Sequence, residues 1–219
     1  MLLVEQREKI ISISLRLMAE KCVADGQGNL SIMDRVQNLI AITPSAVPYQ
    51  VREPEDICVV DPQGNLIEGN WKPTSEMALH LVFYRRRADI SAVVHTHAPN
   101  STVFGIIGDE PMPMVLNEAA MGLGGAVPIA PYARPGTERL AELTCEATGD
   151  GIAVIMAHHG LVTIGDTLEH AYTATTAAEA TAQAIILARS MGASVQSLED
   201  EEVKSLRKMY LGYRPQSID

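Results

Sequence analysis

The chain is poor in three things. It has three cysteines among 219 residues, Cys22, Cys58 and Cys145, far apart and without a Cys-x-x-Cys spacing. That excludes a disulfide framework and a thiolate zinc site, and it fits a reducing compartment. Positive charge is short as well: 17 Lys plus Arg against 27 Asp plus Glu give a formal net charge of −10. A field of that sign repels nucleic acid and anionic lipid, so neither is an expected partner, whereas a single phosphate held by loop amides is compatible with it. Long apolar runs are also missing, since nothing approaches the roughly 18 residues of a membrane span. Met1 to Lys9 carry charges where a signal peptide needs its apolar region. A soluble, cytoplasmic protein is expected. With 47% apolar and 20% charged residues and no repeat, linker or low-complexity tract, residues 1–219 read as one α/β domain.

What is present reads as alternating helices and strands. Ile10, Ile13, Leu17 and Met18 have a helical period within Val4 to Cys22, and Asp25-Gly26-Gln27-Gly28-Asn29 breaks it. Extended segments are expected from Leu30 and from Asn38 to Thr43. Asp56 to Val60 and Leu66-Ile67 flank Asp61-Pro62-Gln63-Gly64-Asn65, which is hairpin chemistry. Thr74 to Arg87 reads as a capped amphipathic helix, and Ala92 to His97 as a strand. The Gly/Pro/Met-rich region from Gly105 to Gly125 is assigned no element. A helix opens at Pro135-Gly136-Thr137 and runs to about Thr148. Two strands around His159 lead into a long Ala/Thr-rich helix from about Thr167 to Met191, whose small apolar surface suggests burial, and a last helix spans about Asp200 to Leu211. Hairpins outnumber β-α-β crossovers, so the expected fold is α/β with three layers, a central, mostly antiparallel sheet flanked by helices.

Two histidines end the strand Ala92-Val93-Val94-His95-Thr96-His97. Alternate side chains on a strand share a face about 6.5–7 Å apart, so His95 and His97 can close on one ion. Alone, His-x-His is as readily a pair of packed histidines. A second apolar run, Ile152 to Ala157, ends in His158-His159-Gly160 and offers a third imidazole, the ligand set of a catalytic metal with an open position. His159 is the expected ligand, because Gly160 lets the backbone turn there; His158 then faces away. His80 and His170 fall on helices and read as structural or exposed. Lys72-Pro73-Thr74-Ser75-Glu76 puts backbone N–H groups and two hydroxyls at a helix start, a natural anion site. Glu76 either favours the helix dipole or stands beside a metal as ligand and base. Gly26-Gln27-Gly28-Asn29-Leu30-Ser31 is a second candidate anion loop, too sparse in glycine for a nucleotide P-loop.

Gly28-Asn29-Leu30-Ser31, Ile42-Thr43-Pro44-Ser45, Lys72-Pro73-Thr74-Ser75-Glu76, His95-Thr96-His97, Ala130-Pro131-Tyr132, Gly136-Thr137 and His158-His159-Gly160-Leu161 stand in one order along nearly the whole chain. In that set the sequence resembles the class II aldolase/adducin-domain family, most of all its L-fuculose-phosphate aldolase branch. The resemblance implies a divalent ion, zinc or else manganese or cobalt, held by His95, His97 and His159 with Glu76, which then serves as acid/base. It implies a substrate phosphate among Gly28, Asn29, Ser45, Ala46, Thr74 and Ser75. The implied reaction is metal-dependent cleavage of a ketose 1-phosphate, such as L-fuculose 1-phosphate or (5-deoxy)ribulose 1-phosphate, to dihydroxyacetone phosphate and a short aldehyde, with the metal as Lewis acid in place of a lysine Schiff base. It also implies a homotetramer with sites between subunits, into which the C-terminal Tyr213 of a neighbour reaches. The sequence departs from the branch at the aldehyde end: Asn117 stands where the branch has a tyrosine, and Pro135 where it has an aromatic. In the phosphate loops, Ala46 and Gly26 replace a Gly and a Thr. An epimerase or a sugar-acid phosphate decarboxylase is an alternative on the same metal site, but epimerases carry Asp in place of Glu76, and decarboxylases Lys in place of Ser75. A non-enzymatic adducin-like interaction domain lacks the full ligand set that this chain keeps.

Overall fold

The computed structural model describes residues 1–24, 26–108 and 110–213; Asp25 of the expected break, Asp109 and the last six residues of the chain lie outside them. The helices are α1 (Val4–Ala19), α2 (Met77–Arg86), α3 (Pro99–Ile107), α4 (Asn117–Leu123), α5 (Glu138–Thr148), α6 (Leu168–Ser190) and α7 (Asp200–Tyr213). The strands are β1 (Asn29–Asp34), β2 (Leu39–Ile42), β3 (Cys58–Val60), β4 (Leu66–Glu68), β5 (Ala92–Thr96), β6 (Ile129–Ala130), β7 (Ala153–Met156) and β8 (Gly160–Gly165). They form one sheet in the order β4-β3-β2-β1-β5-β8-β7-β6, and only the β6–β7 pairing is parallel. The expected three-layer fold with a mostly antiparallel sheet is what the chain adopts.

Strand alternation sorts the core into two layers. Val93, Val154, Met156, Val162 and Ile164 face α2 and α5 and pack on Val82, Phe83, Leu140 and Ala141. Leu30, Ala41, Val59, Ala92 and Val94 face the other way, onto Ile10, Ile13 and Leu17 of α1 and the start of α6. Ile155 and Leu161 continue that second layer under α3, α4 and α6. Every residue of β5 is buried, and β5 is paired on both sides, by β1 and β8. A residue at its end is therefore held by two neighbouring strands. The small face of α6 is accounted for within the chain: Ala171, Ala174, Ala178 and Ala182 are buried, and Thr163 on β8 hydrogen-bonds Thr175 at 2.7 Å. Among the described residues no helix is long and apolar enough to cross a membrane.

Three details differ from the sequence reading. Helix α2 begins at Met77, with Glu76 as its N-cap at φ −101 and ψ 20 and Thr74-Ser75 in a preceding turn. The unassigned 105–125 stretch holds the end of α3 and all of α4. Finally, the turn before His159 is made by His158, which sits in the left-handed region at φ 57, rather than by Gly160. Gly160 is needed for a different reason. A Cβ on it would lie 2.3 Å from the Thr96 carbonyl oxygen and 3.2 Å from His95 Cε1. Both neighbours are fully buried on β5, so neither can retreat. We expect Gly160→Ala to cost more than about 3 kcal/mol in urea unfolding, whereas Gly125→Ala, with open space around it, stays within about 1 kcal/mol. Equal midpoints for the two variants would contradict this packing account.

Candidate functional site

His95, His97 and His159 converge where β5 ends beside the β7–β8 turn. One ring nitrogen from each lies within 4.8 Å of the others, and the ring centroids are 4.8 to 5.1 Å apart. His95 and His97 share the sheet face that Val93 presents to α2, as the strand period requires. The β5–β8 register, which sets His95 opposite Val162, brings the start of β8 and the preceding His159 alongside. His158 is exposed, its ring near that of Tyr132. Glu76 enters from α2: its carboxylate oxygens lie 3.1 Å from His95 Nε2 and 3.4 Å from His159 Nε2. As an N-cap it is turned inward to the histidines, so support of the helix dipole does not explain it.

The donor set fits a metal ion on its own chemistry. His95 Nδ1 lies 3.1 Å from the Leu161 carbonyl oxygen, which only accepts, so Nδ1 carries the proton. In a neutral ring Nε2 is then a bare lone pair, and it faces a carboxylate oxygen, a second acceptor. His95 Nε2, Glu76 Oε1 and His159 Nδ1 are all buried without a hydrogen-bond partner. A cation between His95 Nε2, His159 Nε2 and the Glu76 carboxylate relieves the facing acceptors and partners His95 Nε2 and Glu76 Oε1. Burial foremost pushes His97 and His159 down to about 4, so both rings are neutral near pH 7, as ligation demands. Burial alone would raise the Glu76 carboxyl, but positive charge at His95 and His159 and the Asn29 amide outweigh it and hold it well below the usual carboxylate range; with neutral rings that charge has to come from the cation they would hold. Thus the metal-ligand set expected from the sequence is gathered in one place.

A cleft of about 540 Å³ opens from this cluster. Its wall includes Glu76, His97 and His159 together with Gly28, Asn29, Ser45, Ala46, Thr74 and Ser75, all six residues expected for a phosphate. Gly26, Pro135 and Gly136 line it too, and among the described residues no lysine or arginine does. Three close contacts hold this wall together. A Cβ on Gly28 would lie 2.6 Å from the His95 carbonyl oxygen, and Gly28 has φ +74. Thr74 N donates to Thr43 O at 3.0 Å and Ser45 N to Lys72 O at 2.9 Å, which ties the two loops to each other. Those two amides are consequently spent on the scaffold, and Glu76 N donates to Thr74 Oγ1. An anion here would meet hydroxyls and the remaining amides rather than a fully free helix start. Asn29 Nδ2 donates to Glu76 Oε2 at 3.0 Å, a contact that the sequence reading did not foresee.

Of the aldehyde-end residues, Pro135 lines the cleft, whereas Asn117 and Tyr213 stand elsewhere in the single chain. Asn117 is the exposed first residue of α4, and Tyr213, 81% exposed, is the last of α7; neither lines the cleft. His80, expected to be structural or exposed, is fully buried and joined to Asn29 and Ser31. His170 is exposed only in part and pairs with Asp166 on the far side of β8.

Residues 8–186 match the family described as Class II Aldolase and Adducin N-terminal domain. The chain is 36% identical over 216 residues to a 5-deoxy-D-ribulose 1-phosphate aldolase of Bacillus thuringiensis serovar kurstaki, covering 99% of this chain and 100% of that one. It is 38% identical over 175 residues to an L-fuculose phosphate aldolase of Methanococcus maripaludis, covering 80% and 93%. A solved L-fuculose 1-phosphate aldolase superposes with a TM-score of 0.90 at 32% identity, over 94% of this chain and 96% of that one. The order of motifs, the three-layer sheet and the full-length similarity agree, and the chain belongs to the class II aldolase and adducin family.

Proposed function

We propose that this chain is a metal-dependent aldolase that cleaves a ketose 1-phosphate between C3 and C4 to dihydroxyacetone phosphate and a short aldehyde, with 5-deoxyribulose 1-phosphate or L-fuculose 1-phosphate as candidate substrates. The observation that carries it is the meeting of a facing imidazole lone pair and carboxylate at 3.1 Å with a cation-free, hydroxyl-rich cleft wall. Full-length relatives named for those two activities support the same reading. His95, His97, His159 and Glu76 would hold the ion, zinc or another divalent ion that imidazole and carboxylate accept. Bound there, it supplies Lewis acidity to the oxygens on which charge gathers as the carbon–carbon bond breaks. Ser45, Thr74, Ser75 and the Gly28-Asn29 and Ala46 backbone orient the phosphate, with no lysine or arginine needed. Glu76 removes the C3 proton in the condensation direction and, once it has taken up a proton from solvent, returns one to C3 on cleavage. Because Asn117 and Tyr213 lie outside the cleft, the C4 hydroxyl proton is assigned to Tyr213 of a neighbouring chain, within a homotetramer. The expected setting is the cytoplasm.

The test offers dihydroxyacetone phosphate with a panel of short aldehydes, followed by identification of the products. Condensation to ketose 1-phosphates, lost on exhaustive chelation and regained with Zn²⁺, Mn²⁺ or Co²⁺, is the expected result. No condensation product with any aldehyde at full metal loading would dispose of the lyase reading.

A further inference from the structure

Behind Glu76, on the side away from the cleft, lies a buried polar chain with no part in ligating the metal. Asn29 and Ser31 sit two residues apart on β1 and share its face toward α2; Glu76, His80 and Tyr84 follow at four-residue steps along one stripe of α2 and its cap. The two periods mesh. Asn29 Nδ2 meets Glu76 Oε2 at 3.0 Å, Asn29 Oδ1 meets His80 Nε2 at 2.5 Å, His80 Nδ1 meets Ser31 Oγ at 2.6 Å, and Ser31 Oγ meets Tyr84 Oη at 2.6 Å. His80 and Ser31 are fully buried, and Asn29 and Tyr84 nearly so.

The chemistry of the groups gives this chain one direction. A carboxylate only accepts, so the Asn29 amide must present its NH₂ to Glu76 and its carbonyl to His80. That carbonyl also only accepts, so His80 Nε2 carries a proton. Burial, foremost among its surroundings, pushes His80 down to about 3, so the ring is neutral and its Nδ1 is an acceptor. Ser31 therefore donates to Nδ1 and in turn accepts from the Tyr84 hydroxyl. We propose that Tyr84, Ser31, His80 and Asn29 form a one-way line of hydrogen-bond donors that ends on Glu76 Oε2, making His80, Ser31 and Tyr84 positioning residues for that carboxylate. Each donor polarises the next, and the end of the line presses partial positive charge on Oε2, holding Glu76 where it faces His95 and His159. The arrangement also ties the proposed metal and base position to the strand that begins at Asn29 of the cleft. Its catalytic consequence rests on the proposed aldolase reaction; the direction of the line does not.

The direction is read on ¹⁵N-labelled, Zn²⁺-loaded full-length protein by the imidazole ¹H–¹⁵N spectrum, alongside steady-state cleavage kinetics. His80 is expected as the Nε2–H tautomer with a bare Nδ1. Ser31→Ala removes the donor to Nδ1, so the His80 signals should move toward a mixture of tautomers. With the carboxylate less firmly held, kcat should fall about tenfold while KM stays within about twofold. Ser31→Cys, which keeps a weak donor, should regain part of both. Tyr84→Phe removes one hydroxyl without changing shape; it should shift the His80 Nδ1 resonance and lower kcat by about threefold, and it decides the matter if Ser31→Ala does not fold. A proton on Nδ1 in place of Nε2, or variants with unchanged His80 resonances and kcat, would overturn the line. Absence of aldolase activity in the unsubstituted protein counts against the proposed reaction alone, and the tautomer then decides.

Discussion

Glu76→Gln is expected to abolish exchange of the dihydroxyacetone phosphate C–H proton with solvent, with a loss on the order of 10²–10⁴-fold. The substitution keeps shape and volume, so the buried N-cap should still fit between Asn29 and the histidines. What it removes is the negative charge and the ability to take a proton. The wild-type carboxyl is held below the usual carboxylate range in spite of burial, so a proton acceptor stands ready. A Gln also sets an NH₂ or a neutral carbonyl where a carboxylate faced His95 Nε2, so the ion should be retained more weakly, although three imidazoles remain. Deuterium uptake at C3 followed by NMR measures the effect, with metal content determined on the same sample. Full exchange in a variant that retains its metal would remove Glu76 from the role of base.

His95→Ala should be the most damaging change at the site, with metal content near background and cleavage down by at least about 10³-fold. His95 is completely buried, is held by Leu161 on one side, and lies against both other imidazoles and Glu76 on the other. Its removal takes away a ligand and leaves Glu76 Oε2 facing an empty space that water must fill. Since the proposed metal would bind the folded protein, its loss should also show as a lower midpoint of thermal unfolding that added Zn²⁺ no longer raises. His158→Ala is the informative neighbour. It stands next to His159 in sequence but is exposed with its backbone at φ 57, so metal content and kcat should remain within about twofold of wild type. If His95→Ala kept its metal while His158→Ala lost it, the ligand assignment would have to be redrawn.

Why was so much of this legible in the sequence, and why not the rest? The parts that could be read are those whose cause is local. A period of two on Ala92 to His97 is enough to put His95 and His97 on one face, and Thr137 caps α5 through its own side chain, accepting from Leu140 N. The Asp61 to Asn65 turn is closed by Asp61, which accepts from Gln63 N and Asn65 N. Helix α3 was missed because its N-terminal amides are capped from a distance: Asn100 N and Ser101 N donate to Glu179 on α6, 79 and 78 residues away. Helix α4 starts from Leu116 without any side-chain cap, and β6 is two residues long, recognisable only through its parallel partner β7. At Gly160 the sequence shows a glycine but not its cause, since the clash that demands it comes from Thr96 on another strand. His80 could not be placed at all before β1 and α2 were seen side by side. Glu76, His80 and Tyr84 at four-residue steps are a visible stripe, but a stripe acquires a meaning only from what it faces.

The pairing of β1 with β5 sets Asn29 opposite His95 and Ser31 opposite Val93, between segments more than sixty residues apart in the chain. Contacts of that separation form late and slowly in folding. A slip of one residue in that pairing would swap the two faces of β1, sending Leu30 into the polar layer and turning Asn29 and Ser31 away from α2. Such a chain could still collapse around its apolar residues, yet it would hold neither the carboxylate nor the loop beside it. Incorrectly paired molecules are therefore inactive rather than altered in what they act on. In a refolding experiment the return of metal binding thus serves as a counter of correctly registered sheets, and it should lag behind the recovery of helical signal.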